Sequence, residues 1–189
     1  MLIDDIITFL HDNLDPQRTE HSLKTASMAS TLAKIHGEDE RKAYMAGLLH
    51  DIAKGLSGEA IAKTAEDYRV SADEYEQNNK ELLHGRLGAA MANKLFGITD
   101  EDVLNAIRWH TTGRAGMSRL EKIVYIADLT EPSRKFDDLD DIRELAKKDV
   151  DLAMRLALQK VMEFVKRKGF ALHPNSIKAY NDLFKKEEK

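Results

Sequence analysis

Cysteine is absent from this 189-residue chain. That removes disulfides, thiolate zinc sites and thiol nucleophiles, and it fits a reducing compartment. An excess of positive charge is missing too. The net charge is -4, and no basic stripe with interleaved aromatics occurs, so no nucleic-acid partner is expected and any anion site must be local. No apolar run is long enough to span a membrane. The opening MLIDDIITFLHDNL carries early acids and no basic n-region, which reads as neither signal peptide nor membrane span. The expectation is a cytoplasmic protein with no membrane partner. Proline is scarce, with 3 residues, strand-like alternation is rare, and there are no internal repeats.

What fills the chain instead is Ala, Leu, Lys and Glu, with apolar residues three and four apart, the period of amphipathic helices. The composition is 42% hydrophobic and 33% charged, that of an ordinary folded protein rather than a disordered one. The length predicts one domain over 1–189, with a tail fraying from about 185. A helix opens after Asp15 with Pro16 in its first turn and closes at His36-Gly37, where glycine supplies the left-handed cap. Further helices are expected over 39–54, 58–66, 81–96, 99–110, 118–129, 149–168 and 175–184. His11 reads as part of a polar turn after the first helix. The polar stretch 68–79 and the acidic run 137–141 read as surface segments. The expected architecture is all-α, an irregular helical bundle.

The informative residues are His21, then YMAGLLHDIAK with His50 and Asp51, then His84, His110 and Asp128. Adjacent helical residues point about 100° apart, so His50 and Asp51 do not share one direction, yet both can line one cavity near a helix end. Apolar runs precede both Asp51 and Asp128. A carboxylate in such a place is costly unless it is paired or bound to metal. A lone histidine on an apolar face is more often a core residue or a cap than a ligand, but an ordered set of four His and two Asp beside buried helices points to a metal. Mixed imidazole and carboxylate donors suit divalent iron, manganese, zinc or nickel better than calcium. Such an ion can hold a phosphate oxygen and acidify water, which is phosphoester or phosphoanhydride hydrolysis.

The H...HD...D order of His21, His50-Asp51 and Asp128 resembles the signature of HD-domain metal phosphohydrolases. EHSLKTASMAS, AGLLHDIAK, LLHGRLGA, RWHTTGRAGMSRLEKIVYIADLTEPSR and LHPNSIKAYNDL are similar, more narrowly, to the bacterial YqeK-type family, over about residues 18–184. That resemblance implies an HD-type helical fold and symmetrical hydrolysis of diadenosine tetraphosphate to two ADP by metal-activated water. It also implies His21, His50, Asp51 and Asp128 as ligands of iron, as one or two ions, with manganese, cobalt or nickel able to substitute. His84 and His110 would hold a second ion bridged by Asp51 or donate to phosphate directly.

A tetraphosphate needs local cations. Arg18 is three residues before His21 and Lys54 three after Asp51, near one helical turn. Arg134 follows Asp128 by six. Thr111, Thr112, Gly113 and Arg114 form a loop able to cradle phosphate, and Arg86 and Arg114 read equally well as surface charge. The segment Leu172, His173, Pro174, Asn175 and Ser176 resembles a family feature that closes over the nucleotide, ADP or GDP, and it also reads as a helix start with free amides. Lys54 would offset charge in catalysis, and Asp51 would take a proton from water if ligation leaves it free. Trp109 reads as core. The competing expectations are an HD-type phosphohydrolase for another nucleotide and a non-enzymatic nucleotide sensor. A homodimer is the default assembly for a small enzyme.

Overall fold

The computed structural model describes residues 3–134 and 139–185, and every regular element among them is helical. After α1 (Ile3–Asn13), α2 (Pro16–Ile35) starts where the Asp15 side chain accepts the Arg18 N–H at 2.9 Å, and it stops at Gly37, whose φ is 67°. The His36 ring meets the Ala146 carbonyl at 2.6 Å. Helix α3 (Glu40–Leu49) is capped by Asp39 and lies along α2. Small residues make that approach close: Ala26, Ala29, Ala33, Ala43 and Ala46 are fully buried, and a Cβ on Gly47 would stand 2.8 Å from the Ala26 Cα.

Helix α8 (Arg119–Thr130) is the axis of the bundle, buried from Leu120 through Ala127. A helix apolar on most sides must be enclosed, and α2, α3, α7 (Glu101–Trp109) and α10 (Val150–Arg167) enclose it. Its two interior charges are paired, Glu121 with Arg114 and Lys122 with Asp151. Burying each large aliphatic side chain such as Ile123 or Ile126 stabilises by about 1.5–3 kcal/mol, and this packing carries the polar end of α8 into the interior. Helix α4 (Gly58–Asp67) follows the α3 turn, α6 (His84–Phe96) packs on α7, and α9 (Leu139–Lys148) and α11 (Pro174–Lys185) pack on α10.

The all-α expectation holds, with differences at boundaries. The helix expected over 39–54 stops at Leu49; the His50 ring takes the Gly47 carbonyl, and a 3-10 turn, Ile52–Gly55, follows. The helix expected over 81–96 begins at His84, after a 3-10 turn, Lys80–Leu82. His11 lies inside the last turn of α1 and is exposed, rather than in a turn beyond it. The polar stretch 68–79 contains α5 (Glu74–Asn78), closed by a capping box between Asp73 and Glu76, and Glu76 is buried. Helix α9 is an addition: Leu139, Ile142 and Ala146 bury one face at helical spacing. Of the acidic run, Asp140 and Asp141 are exposed in α9, while 137 and 138 lie outside the described residues, as does the tail at 186–189.

Candidate metal centre

Helix ends deliver most of the centre. His50 stands at the C-terminus of α3 and His110 at that of α7. Each ring turns back so that Nδ1 meets the carbonyl three residues earlier, Gly47 for His50 and Ile107 for His110, both at 2.7 Å. Those carbonyls are among the acceptors that a helix leaves unpaired at its end. His84 does the same with Glu81. His21, in mid-α2, directs Nδ1 to the Glu131 carboxylate at 3.1 Å. A carbonyl only accepts, so Nδ1 carries a proton in each of those three rings, and Nε2 faces the cluster, a lone pair when the ring is neutral and a donor when it is charged.

The Nε2 atoms converge. His21 and His50 approach to 3.2 Å, and His84 and His110 to 2.9 Å. Asp51 stands between the two pairs, buried, and its two oxygens divide the work. Oδ2 lies 3.9 Å from His21 Nε2 and 3.5 Å from His50 Nε2, whereas Oδ1 lies 3.2 Å from His84 Nε2 and 3.6 Å from His110 Nε2. Asp128, near the end of α8, places Oδ1 2.9 Å from His21 Nε2 and 3.6 Å from His50 Nε2.

Facing lone pairs at these distances repel unless a cation or a proton stands between them, and the electrostatics say the same. Burial opposes charge on His50, but the Asp51 and Asp128 carboxylates outweigh it and push the imidazole up to about 10. Burial would also raise Asp51 and Asp128. For Asp51 the His50 charge and bonds from His110 and His50 prevail, and for Asp128 the bonds from His21 and His50 prevail, so both are held well below the usual carboxylate range. His110 is lowered by burial. The field therefore calls for positive charge, and buried imidazoles oriented by hydrogen bonds at Nδ1 are a fitting donor set for a divalent metal. His21, His50 and Asp51 form one cation-sized group and Asp51, His84 and His110 another, and His50, His110 and Asp128 also come within reach of one another.

Around this cluster the structure sorts the other expected residues. Arg18 places Nη1 2.6 Å from Asp51 Oδ2, and Arg134 places Nη2 2.7 Å from Asp128 Oδ1. Both are half-exposed, so each bridges cluster and solvent. Thr111 sets its hydroxyl 3.2 Å from Nε2 of both His84 and His110. The rest of its loop turns away: Thr112 bonds the Gly113 carbonyl at 3.0 Å, and Arg114 grips Glu121 with two nitrogens. Arg86 is held by Glu76 at 2.7 Å. Lys54 stands in the 3-10 turn after Asp51, its ammonium 3.4 Å from Glu81. Trp109 is half-buried.

At α11 one expectation changes. The Asn175 amide bonds His173 Nδ1 at 3.1 Å and the Ser176 amide bonds the His173 carbonyl at 3.0 Å, while Pro174 has no N–H. These amides are not free for an anion. Because His173 Nδ1 accepts, its Nε2 is the donor, and it meets Asp73 Oδ2 at 3.1 Å, tying 172–176 to α5. Leu172 is half-buried and Ser176 buried.

Sequence reasoning missed Glu131. It is 1% exposed and fixes His21 while accepting from the Ser133 amide at 2.7 Å and hydroxyl at 2.5 Å. A signal existed: it stands one helical turn beyond Asp128, at the close of the buried run.

Known proteins resemble this chain along most of its length. The HD domain profile matches residues 18–133. The chain is 37% identical over 171 residues to a protein of Halalkalibacterium halodurans named symmetrical bis(5'-nucleosyl)-tetraphosphatase, covering 90% of this chain and 91% of that one. A Bacillus subtilis protein of the same name is 33% identical over 180 residues, covering 95% and 96%. A crystal structure from Clostridium acetobutylicum, described as that of a predicted HD superfamily hydrolase involved in NAD metabolism, matches with a TM-score of 0.94 at 44% identity and covers 98% of both chains.

Proposed function

The chain belongs to the HD-domain family, among the symmetrical bis(5'-nucleosyl)-tetraphosphatases, and from that premise we propose that it hydrolyses diadenosine tetraphosphate to two ADP. The observation that carries the chemistry is the convergence of four Nε2 atoms on the two oxygens of Asp51, with Asp128 closing one side. His21, His50, Asp51 and Asp128 are the residues we assign to a first divalent ion, for which iron is our choice. His84 and His110 share Asp51 with them and are suited to a second. When bound, the metal supplies Lewis acidity toward a phosphoryl oxygen and lowers the pKa of water.

The protein's own groups do the rest. Both oxygens of Asp51 are engaged with imidazoles, and one also with Arg18, so Asp51 serves as ligand and not as base. Arg18 and Arg134 neutralise the carboxylates in the free protein. With a metal held by the carboxylates, their half-exposed guanidiniums would be available to phosphate, which each can grip through two nitrogens. Lys54 and Thr111 add a point charge and a hydroxyl beside the His84 pair. Symmetrical cleavage breaks the bond from phosphorus to the central bridging oxygen. Water supplies the new oxygen, and the departing ADP keeps the bridging one. One ADP half then lies toward 172–176, held by side chains, since the α11 amides are occupied. The cytoplasm is the compartment we assign, in keeping with the cysteine-free sequence.

The test is product analysis with purified protein supplied with iron, manganese or cobalt. ADP as sole product supports the proposal. ATP with AMP would refute symmetrical cleavage, and tight binding without turnover would favour a nucleotide sensor.

A further inference from the structure

Helices α2, α6 and α10 each end in a glycine of positive φ: Gly37 at 67°, Gly97 at 65° and Gly169 at 77°. The end of α4 turns the same way without one. Arg69 takes a φ of 56° there, the one non-glycine residue with positive φ among the described residues. Its N–H meets the Glu66 carbonyl at 3.0 Å and the Val70 N–H meets the Ala65 carbonyl at 2.8 Å, so the turn closes as it would around glycine. A side chain is disfavoured in this conformation. Nothing in the turn uses the guanidinium, which has no described partner.

Arg69 borders a cleft of about 340 Å³ that runs between α6 and α7. From α6 come Arg86, Ala89, Ala90 and Asn93, and from α7 Glu101, Leu104 and Arg108, spacings of three, four and seven that put each set on one helical face. Arg86 follows His84 by two residues and Arg108 precedes His110 by two, about 200° round each helix. The arginines therefore face away from the metal centre. A Cβ on Gly85 would stand 2.8 Å from the Arg108 carbonyl oxygen, which sets Arg86 and Arg108 at the same end of the groove. Glu101 is at the other end, about 10 Å along α7, and the short alanine side chains leave room between.

Two of the three guanidiniums are already held in place. Arg86 Nη1 meets buried Glu76 at 2.7 Å, and Arg108 Nη1 meets Asn105 Oδ1 at 2.5 Å. The other nitrogens of both side chains have no described partner. Three guanidiniums against Glu76 and Glu101 leave the cleft cationic in a chain whose net charge is -4. One guanidinium fork matches one carboxylate, whereas a phosphate group offers more oxygens and close to twice the charge. We propose that this cleft is an anion site separate from the metal centre, which takes the phosphate group of a small ligand between Arg69, Arg86 and Arg108. A ligand seated there ties the end of α4 to α6 and α7.

Arg69→Gly tests this without threatening the fold, since glycine suits a φ of 56°. Metal-loaded protein is dialysed to equilibrium against radiolabelled inorganic phosphate, and bound phosphate is counted. Wild type should show two classes of site, one weakened in Arg18→Ala at the metal centre and the other in Arg69→Gly. The second loss should be about tenfold or more, as for one charged hydrogen bond. Arg108→Ala should weaken the same class, and Arg69→Lys should keep part of it. The melting temperature of Arg69→Gly without phosphate should be no lower than that of wild type, which separates loss of the ligand from loss of the fold. Phosphate binding unchanged in both Arg69→Gly and Arg108→Ala would overturn the proposal. Acetate competing as well as phosphate for the Arg69-dependent class would overturn the choice of ligand.

Discussion

Replacing Glu131 with glutamine should weaken the hold on the metal roughly tenfold while leaving the fold intact. The Glu131 carboxylate is buried, with Oε1 3.1 Å from His21 Nδ1. Burial opposes its charge, but the two bonds from Ser133 and the contact with His21 hold it below the ordinary glutamate range, so it is ionised at neutral pH. A hydrogen bond to a charged partner contributes about 1.5–3 kcal/mol against about 0.5–1.5 for a neutral one. The difference, a little over 1 kcal/mol, is close to a factor of ten in affinity. Glutamine keeps the size and the accepting oxygen. His21 therefore keeps its direction and loses part of the basicity that the charge lends to Nε2, and partners of this kind typically alter metal affinity by about 10–100-fold. The assay is to strip metal with a chelator and titrate manganese or iron back, following both activity and bound metal. Half-saturation should move about tenfold, and kcat at saturating metal should approach wild type. An unmoved half-saturation, or activity that excess metal does not restore, would refute the reasoning.

Asp51→Asn should abolish hydrolysis and leave the circular dichroism spectrum helical, because it removes the one charge that both imidazole pairs address; measurable turnover at saturating metal would contradict it. Gly47→Ala should destabilise by about 1–3 kcal/mol, since the new methyl meets backbone atoms of Ala26 at 2.8 and 3.0 Å, and it should weaken metal binding by parting His21 from His50. Urea unfolding checks the first effect and metal titration the second. Asp73, which caps α5 and holds His173, has its carboxyl lowered: burial would raise it, but the Glu76 amide and His173 outweigh that. Its contribution to stability is full above the unfolded value near 3.8 and is lost as pH falls through the lower folded value. The melting-temperature gap between wild type and Asp73→Asn should thus narrow as pH drops below 3.8. A gap constant with pH would exclude the linkage.

Local chemistry made much of the fold readable in advance. Asp15, Asp39, Asp100, Ser118 and Asp149 all cap the helices they precede, because a short polar side chain before an apolar-periodic run has few better uses. Helix α5 escaped because five residues are too few for a period to show. Its Asp73-x-x-Glu76 box was the available mark. Helix α9 escaped for another reason: its acidic start outweighed the apolar stripe of Leu139, Ile142 and Ala146. The α3 boundary was misplaced because the His50 ring competes for a carbonyl that a longer helix would use.

For the site, the sequence alone determined which residues could ligate a metal, in what order, and that buried helices carry them. Tertiary structure decided how they divide. Only in the folded chain does Asp51 turn one oxygen to His21 and His50 and the other to His84 and His110. Glu131 comes behind His21 across 110 residues of chain, and the α11 amides close on His173 instead of staying open. Spacing along a helix sets only which side chains share a face. The pairing of faces depends on how closely helices cross, which the packed alanines and Gly47 settle for α2 and α3 and the buried flanks of α8 settle for Asp128 and Glu131.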